Sequence, residues 1–139
     1  MQPAGLVDTG ALLALLDRDD AWHERCCAAF HGLRLPLATT DAVLAELFHL
    51  LGSHPTDVAN AWHFIRSGAV ALLPITDDDT PRLEQLMAQY ADRPMDLADA
   101  TLVRLAEREA LSTIFTIDHD DFETYRINGK ALFRIVPDR

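Results

Sequence analysis

The stretch Gly5-Leu6-Val7-Asp8-Thr9-Gly10-Ala11-Leu12-Leu13-Ala14-Leu15-Leu16 decides the fold that we predict for this chain. Its first apolar residues, Leu6 and Val7, predict a short buried strand, and the apolar run after them predicts a helix from about Thr9 to Leu16. Asp8 lies at the junction, at the carboxyl end of the strand, where open α/β sheets build their sites. Asp8 could also be only the cap of the helix, a role worth about 0.5–2 kcal/mol.

The composition is that of one globular domain, and we predict a single domain over residues 1–139. Hydrophobic residues make up 49% of the sequence and charged residues 24%, which is typical of folded proteins. No apolar run approaches the roughly 18 residues of a membrane span, and the first residues lack the order of a signal peptide, so we expect a cytoplasmic protein without membrane contact. The formal net charge of −10 argues against a broad basic surface for nucleic acid. It does not exclude an enzyme whose metal ions offset acidic ligands.

Apolar runs that are typical of strands alternate with helical patterns along the chain. The predicted strands are residues 6–7, 35–38, 69–75 and 113–117, and the predicted helices are residues 9–16, 21–31, 42–51, 57–67, 82–90 and 96–110. Asn128-Gly129 lies between two strand-like runs and predicts a hairpin, whose second run should complete the main sheet. The alternation predicts an α/β fold with a mostly parallel sheet and helices on both of its faces.

Several side chains have structural roles in this prediction. Helical spacing places Trp22 and Trp62 on inner faces, and the helix over residues 42–51 is apolar on nearly every side, so we expect it to be mostly buried. Residues 69–75 form the clearest apolar run, as a strand buried on both faces requires. Residues 77–79 are all aspartates that precede a helix, where the macrodipole favours negative charge and the side chains usually lie in water.

Other acidic residues resemble Asp8 in their positions. Asp118 follows a predicted strand, Glu46 is the acidic exception in an apolar helix, and Asp99 lies in the first turn of a helix among apolar neighbours. An unpaired carboxylate in a core costs several kcal/mol, so Glu46 needs a cation, a raised pKa or an exit to a cleft, unless it points to solvent. Asp96 differs, because its position as N-cap of the helix that contains Asp99 already explains it.

A cluster of these carboxylates needs a cation. Two carboxylates about 4 Å apart repel by roughly 4 kcal/mol at an effective dielectric constant of about 20, whereas a helix dipole contributes only about 0.3–1 kcal/mol per charge. Ligands that are all oxygen favour Mg²⁺ or Mn²⁺ over Zn²⁺ or Cu²⁺. A carboxylate-bound Mg²⁺ that keeps several waters is suited to the hydrolysis of phosphodiesters.

The order of these motifs resembles the PIN-domain ribonucleases over nearly the whole chain. The matching motifs are Val7-Asp8-Thr9-Gly10-Ala11, Ala45-Glu46-Leu47, Asp96-Leu97-Ala98-Asp99-Ala100, and Thr116-Ile117-Asp118 with Asp121-Phe122. The resemblance implies a five-stranded parallel sheet in a three-layer α/β/α sandwich and metal-dependent endonuclease activity on RNA. By the same resemblance the catalytic and metal-binding quartet is Asp8, Glu46, Asp99 and Asp118, with Thr9 and Thr116 as polar supports.

The compact size is similar to that of the toxins of VapBC-type toxin–antitoxin pairs. This likeness implies a homodimer that is inhibited by a small antitoxin protein lying across the site. Asp96 and Asp99 are both acidic, so they could share the third position of the quartet. We favour Asp99, because one turn into the helix its side chain points back toward the strand ends. Asp96 and Asp121 remain candidates for support.

Other classes of protein fit the sequence less well. A phospho-receiver domain needs a lysine after a late strand, whereas Lys130 lies beside the predicted hairpin turn. A haloacid-dehalogenase-like phosphatase needs a second aspartate two residues after its nucleophile, where this chain has Gly10. Two alternatives stay open at this point: a housekeeping PIN nuclease, and a PIN-fold binding module without cleavage activity.

Overall fold

The computed structural model describes residues 2–139 and contains a parallel sheet. Its strands are β1 (Gly5–Val7), β2 (Leu37–Thr39), β3 (Val70–Leu72), β4 (Thr113–Phe115) and β5 (Arg134–Val136). They pair in the order β3-β2-β1-β4-β5, and all neighbouring strands are parallel. The prediction of an α/β fold with a five-stranded parallel sheet is confirmed.

Each connection between successive strands contains at least one helix, as parallel pairing requires. The helices are α1 (Thr9–Leu16), α2 (His23–His31), α3 (Asp41–Leu51), α4 (Pro55–Phe64), α5 (Thr80–Gln89), α6 (Leu97–Glu109) and α7 (His119–Thr124). A π-helical turn, Ile65–Ala69, follows α4, and a 3₁₀ turn, Asp77–Asp79, leads into α5. None of the described helices is long and apolar enough to cross a bilayer.

The direction in which successive strands are added to the sheet reverses after β3, so that β1 lies at its centre. Strands β2 and β3 lie on one side of β1, and β4 and β5 lie on the other. Because crossovers between parallel strands are right-handed, this reversal places helices on both faces of the sheet. The crevice at the carboxyl ends of β1 and β4 lies at the point of reversal, where open α/β sheets bind ligands.

Polar side chains cap the N-termini of several helices. Thr40 caps α3, where its Oγ1 accepts a hydrogen bond of 3.4 Å from the N–H of Val43. Asp96 caps α6 in the same way, where its Oδ1 accepts a hydrogen bond of 2.8 Å from the N–H of Asp99. The sequence predicts the cap by Asp96, and the structure confirms it.

Two predictions of burial are wrong because the edge of the fold is less covered than its centre. Trp62 is 48% exposed, because Ala61 alone of the α4 residues is buried, and the centroid of its ring lies 4.8 Å from that of Phe48. Trp22, by contrast, lies just before α2, is half-buried and packs against the core, so its predicted inner position is confirmed. The apolar run at residues 69–75 forms an edge strand, β3, rather than a strand buried on both faces.

Helix α3 is also less buried than predicted. Only Val43, Leu44 and Leu47 of this helix are buried, so one stripe of it faces the core. The remaining faces are polar or open despite the apolar sequence. The carboxylate of Glu46 therefore does not have to lie in the core, where its desolvation would be costly.

The aspartates before α5 do not all lie in water. Asp79 is 1% exposed, and it accepts hydrogen bonds of 2.8 Å from both Arg104 and Arg108. Burial opposes the ionisation of Asp79, but the N–H of Thr76 and the two arginines outweigh it and hold the pKa of Asp79 below its usual range. The prediction of a solvated acidic cap is wrong for Asp79, whose arginine partners come from α6.

The predicted hairpin is reduced to a tight turn. Asn128 and Gly129 both have positive φ angles, 54° and 71°, as the central residues of a type I′ turn require. Only one antiparallel bridge, Ile127 to Ala131, flanks the turn within residues 2–139. The following run forms β5 and pairs with β4, so the prediction that it completes the main sheet is confirmed.

Candidate active site

Acidic side chains meet in a cleft at the carboxyl ends of β1 and β4. The cleft has a volume of about 420 Å³ and is lined by Asp8, Thr9, Gly10, Glu46, Leu50, Pro94, Asp96, Asp99, Ile117, Asp118 and Asp121. Every acidic residue that the sequence singled out as a candidate for the site lies on this cleft. No arginine, lysine or histidine is among the described residues that line it.

Asp8 is the N-cap of α1 and is 6% exposed. Its Oδ1 accepts a hydrogen bond of 2.8 Å from the N–H of Thr9, and its Oδ2 accepts one of 3.0 Å from the hydroxyl of Thr116. The pKa of Asp8 is raised to about 6, because burial and the charges of Glu46 and Asp118 outweigh the two hydrogen bonds, which lower it. Asp8 is thus both a cap and a buried acid of the cleft.

The two threonines have different contacts. Thr116 is fully buried, and its hydroxyl both donates to Asp8 and accepts a hydrogen bond of 3.0 Å from the N–H of Asp118. Thr9 lines the cleft, but its hydroxyl donates to the carbonyl of Val43 at 3.5 Å. Thr116 therefore contacts two acids of the cleft, whereas the side chain of Thr9 ties α1 to α3.

Asp99 lies in the first turn of α6 and is 8% exposed. Its backbone N–H is capped by Asp96, and its Oδ2 accepts a hydrogen bond of 2.8 Å from the hydroxyl of Tyr125. Burial raises the pKa of Asp99 to about 8, helped by the charges of Asp8 and Asp96. Asp96 itself is exposed at the rim of the cleft.

Asp118 and Asp121 come from the N-terminus of α7. Asp118 is the N-cap and is half-buried, and burial together with its contact to Asp121 raises the pKa of Asp118 to about 6. One carboxylate oxygen from each of Asp99, Asp118 and Asp121 lies within 4.8 Å of the other two. The tightest group of acids therefore includes Asp121, which the sequence placed only among the supports.

Glu46 lies on α3 and lines the cleft. It is half-buried, and its charge contributes to the raised pKa of Asp8. It is not part of the tight group formed by Asp99, Asp118 and Asp121. Glu46 thus points to the cleft rather than to bulk solvent, which was one of the outcomes that the sequence left open.

Two residues at the site were missed from the sequence. Tyr125 contacts Asp99 from the end of α7, and nothing in the local pattern around Tyr125 indicates such a contact. Gly10 lies so close to Ile117 that an added Cβ would be 2.8 Å from the Ile117 Cγ1 atom. The sequence does contain a signal for Gly10: a glycine two residues after Asp8 has no Cβ, so it allows α1 to approach a neighbouring segment closely.

The negative charges of the cleft are not neutralised by the described residues that line it. Within residues 2–139, no ion pair joins Asp8, Asp99 or Asp118 to an arginine, lysine or histidine. Asp121 alone of the cleft acids has such a partner, because Arg93 donates to its Oδ1 at 2.9 Å. Buried carboxylates that lack a cation normally take up a proton or bind a metal ion.

The family model of the PIN domain matches residues 5–128 of this chain, which is most of its length. The chain belongs to the PIN-domain family. Strand β5 lies beyond the matched residues of the PIN domain, and yet it pairs with β4. The sheet of this PIN domain is therefore completed by the last residues of the chain.

Individual relatives agree with the PIN-domain assignment. Ribonuclease VapC26 of Mycobacterium tuberculosis (strain ATCC 25618 / H37Rv) is 26% identical over 142 residues, which cover 95% of this chain and 99% of that protein. The crystal structure of M. tuberculosis VapC20, a toxin that cleaves the sarcin–ricin loop, superposes with a TM-score of 0.73 and 21% sequence identity. That match covers 83% of this chain and 90% of VapC20, and it shows that the two share the PIN fold.

Proposed function

We propose that this PIN domain, as one domain over residues 1–139, is a metal-dependent endoribonuclease and the toxin of a toxin–antitoxin pair. The observation that carries the proposal is the cleft, where Asp99, Asp118 and Asp121 bring carboxylate oxygens within 4.8 Å of one another. The full-length similarity to a protein named ribonuclease VapC26 supports the same activity. The similarity to the VapC20 toxin supports a role for the chain as a toxin that cuts cytoplasmic RNA.

The residues present fit a divalent cation. The acidic ligands offer only oxygen, which suits Mg²⁺ or Mn²⁺, and burial keeps the pKa values of Asp8 and Asp99 above their usual range. A cation in the cleft would offset this burial and the mutual repulsion of the acids. When bound, such an ion polarises a phosphoryl oxygen and makes water a better nucleophile.

The side chains have separate roles in the proposed site. Asp8, Glu46, Asp99 and Asp118 would hold the ion at the cleft that they line. Asp96 keeps the first turn of α6 in place, Asp121 supplies a further oxygen, and Thr9 and Thr116 fix the main chain and Asp8. Because like charges repel, we expect the acidic cleft to admit the negatively charged RNA backbone only when a cation is bound.

Cleavage of RNA in Mg²⁺ or Mn²⁺ and in excess chelator tests this proposal. We expect cleavage only with metal, and products with 5′-phosphate and 3′-hydroxyl ends, because the attacking group is water. Products with 2′,3′-cyclic phosphates would show attack by the 2′-hydroxyl of RNA and would contradict the mechanism. RNA binding in Mg²⁺ without any cleavage would favour a binding module instead.

A matched pair of variants tests which acids take part. Asp99→Asn keeps the shape of the side chain and should lower cleavage by at least about 100-fold, the upper end of the losses seen when partners of a metal ligand are removed. Asp96→Asn should retain most activity, because asparagine caps a helix about as well as aspartate. Equal losses in both variants, with folding intact, would show that the site includes Asp96.

We also propose a homodimer that binds a small antitoxin protein. The compact single domain and its similarity to VapC proteins support this proposal. Size-exclusion chromatography with light scattering measures the oligomeric state. Co-expression with the product of a short adjacent gene should suppress toxicity if that product is the antitoxin.

A further inference from the structure

Tyr125 joins two walls of the acidic cleft. Its hydroxyl donates a hydrogen bond of 2.8 Å to Oδ2 of Asp99, which lies on α6. Its backbone N–H donates a hydrogen bond of 3.0 Å to the carbonyl of Asp121, which lies on α7. One residue thus contacts α6 through its side chain and α7 through its main chain.

Packing fixes the direction in which the Tyr125 hydroxyl points. The ring is 0% exposed and makes edge-to-face contacts with Tyr90 and Phe122, at centroid distances of 5.0 Å and 5.2 Å. The phenol cannot turn away from Asp99 without breaking this close packing.

The hydroxyl engages only one of the two oxygens of Asp99. Every fully buried side-chain oxygen or nitrogen in the described part of the chain has a hydrogen-bond partner. Oδ1 of Asp99 accepts no side-chain or backbone hydrogen bond within residues 2–139, so this oxygen reaches the cleft that Asp99 lines. Asp99 is therefore held by Oδ2 and presents Oδ1.

We propose that Tyr125 is a positioning residue of the metal site, which holds Asp99 so that its free oxygen faces Asp118 and Asp121. The proposal rests on the metal-dependent function proposed above. A partner that orients a metal-ligating side chain typically contributes 10–100-fold, as an order of magnitude, to metal affinity or activity. Tyr125 acts through Asp99 and makes no contact with RNA in this role.

Two tyrosine variants separate positioning from packing. Tyr125→Phe keeps the ring and removes the hydroxyl, and we expect the dissociation constant for Mn²⁺, measured by titration calorimetry, to rise about 10-fold or more. Tyr90→Phe is the matched control, because it removes the neighbouring hydroxyl, which contacts a backbone N–H instead of a carboxylate. It should leave the dissociation constant unchanged. In cleavage assays, excess Mn²⁺ should restore most of the rate of Tyr125→Phe, since the defect lies in metal binding.

The outcomes distinguish this proposal from the proposed function. Wild-type protein that cleaves RNA, with unchanged Mn²⁺ affinity in Tyr125→Phe, would overturn the role of Tyr125 and leave the nuclease in place. Wild-type protein that neither binds Mn²⁺ nor cleaves RNA would overturn both.

A second measurement does not need the Tyr125 variant to fold. The chain has 2 tyrosines, so Tyr90→Phe labelled with 3-fluorotyrosine gives one ¹⁹F resonance, that of Tyr125. Addition of Mg²⁺ should shift this resonance, because the Asp99 carboxylate that accepts the tyrosine hydrogen bond through Oδ2 would bind the metal through Oδ1. A resonance that does not move while Mg²⁺ binds would overturn the proposal.

Discussion

The hydroxyl of Thr116 donates a hydrogen bond of 3.0 Å to Oδ2 of Asp8 across 108 positions of the sequence. The register of the sheet explains this contact, because Val7 of β1 pairs with Phe115 of β4 and the next residue of each strand also lies beside the other. The same hydroxyl accepts the N–H of Asp118. Thr116 thus links the two acids that follow adjacent strands.

Replacement of Thr116 by valine should destabilise the protein although the two side chains have the same shape. The change leaves Oδ2 of Asp8 and the N–H of Asp118 without their partner, and we expect the free energy of unfolding to fall by about 1–3 kcal/mol. Urea denaturation measures the free energy of unfolding of each variant. Thr116→Ser keeps both hydrogen bonds and loses one methyl group, about 0.8 kcal/mol. A larger loss in the serine variant than in the valine variant would show that packing, not the hydroxyl, matters.

Without metal, the protein should become more stable as the pH falls from about 8 to about 4. Burial raises the pKa of Asp99 to about 8 and those of Asp8 and Asp118 to about 6, from the 3.8 that is usual for an aspartate in water. The folded state therefore binds more protons than the unfolded state in this range, and the free energy of unfolding rises on acidification. Urea denaturation in chelator at several pH values measures the trend.

Asp99→Asn provides the control for this pH dependence. The variant removes the group with the highest pKa, so the upper part of the trend, near pH 8, should flatten. A wild-type stability that declines steadily from pH 8 downward would show that the acids of the cleft ionise freely in the folded protein.

Asp79 should matter for folding and not for the metal site. Its buried carboxylate pairs with both Arg104 and Arg108, and its loss removes the ion pair of Arg104 and one of the two ion pairs of Arg108, which keeps Glu109. Asp79→Ala should therefore lower the free energy of unfolding by about 3–5 kcal/mol. Asp78 is exposed beside it, so Asp78→Ala should change stability by no more than about 0.5 kcal/mol. Similar stabilities of the two variants in urea denaturation would contradict this assignment.

The sequence predicts the acids of the cleft because each has a local signal. Asp8 directly follows β1 and Asp118 comes three residues after the end of β4, and the parallel order of the strands brings their carboxyl ends to one edge. Asp99 stands out as an acid among apolar neighbours in a helix whose cap is already supplied by Asp96. These features depend on residues close in sequence, so the pattern is sufficient to find them.

The remaining contacts depend on residues far apart in sequence. Tyr125 reaches Asp99 across 26 positions, and Arg108 reaches Asp79 across 29. Periodicity shows which face of a helix is apolar, but it does not show what packs against that face. For the same reason Trp62 was assigned to an inner face, although α4 contributes little to the core.

Replacement of Asp8 by asparagine should remove cleavage and yet raise the melting temperature of the protein in chelator. The asparagine Oδ1 can still accept a hydrogen bond at the helix cap, while the buried charge that faces Glu46 and Asp118 is lost. Such a gain in stability at the expense of activity is expected where function requires unfavourable charges. Asp17→Asn, at the exposed opposite end of α1, makes the same change in net charge and should leave the melting temperature in chelator unchanged.

Thermal melting with added Mg²⁺ completes the test of Asp8. Mg²⁺ at about 100 times its dissociation constant should stabilise the wild-type protein by about 2.7 kcal/mol, because the ion binds only the folded state. The stabilisation should be much smaller for Asp8→Asn, which lacks one ligand. If Asp8→Asn instead loses about 1 kcal/mol in chelator, and Mg²⁺ shifts both proteins equally, then Asp8 acts only as a helix cap. The metal site would in that case have to be built from α6 and α7 alone, around Asp99, Asp118 and Asp121.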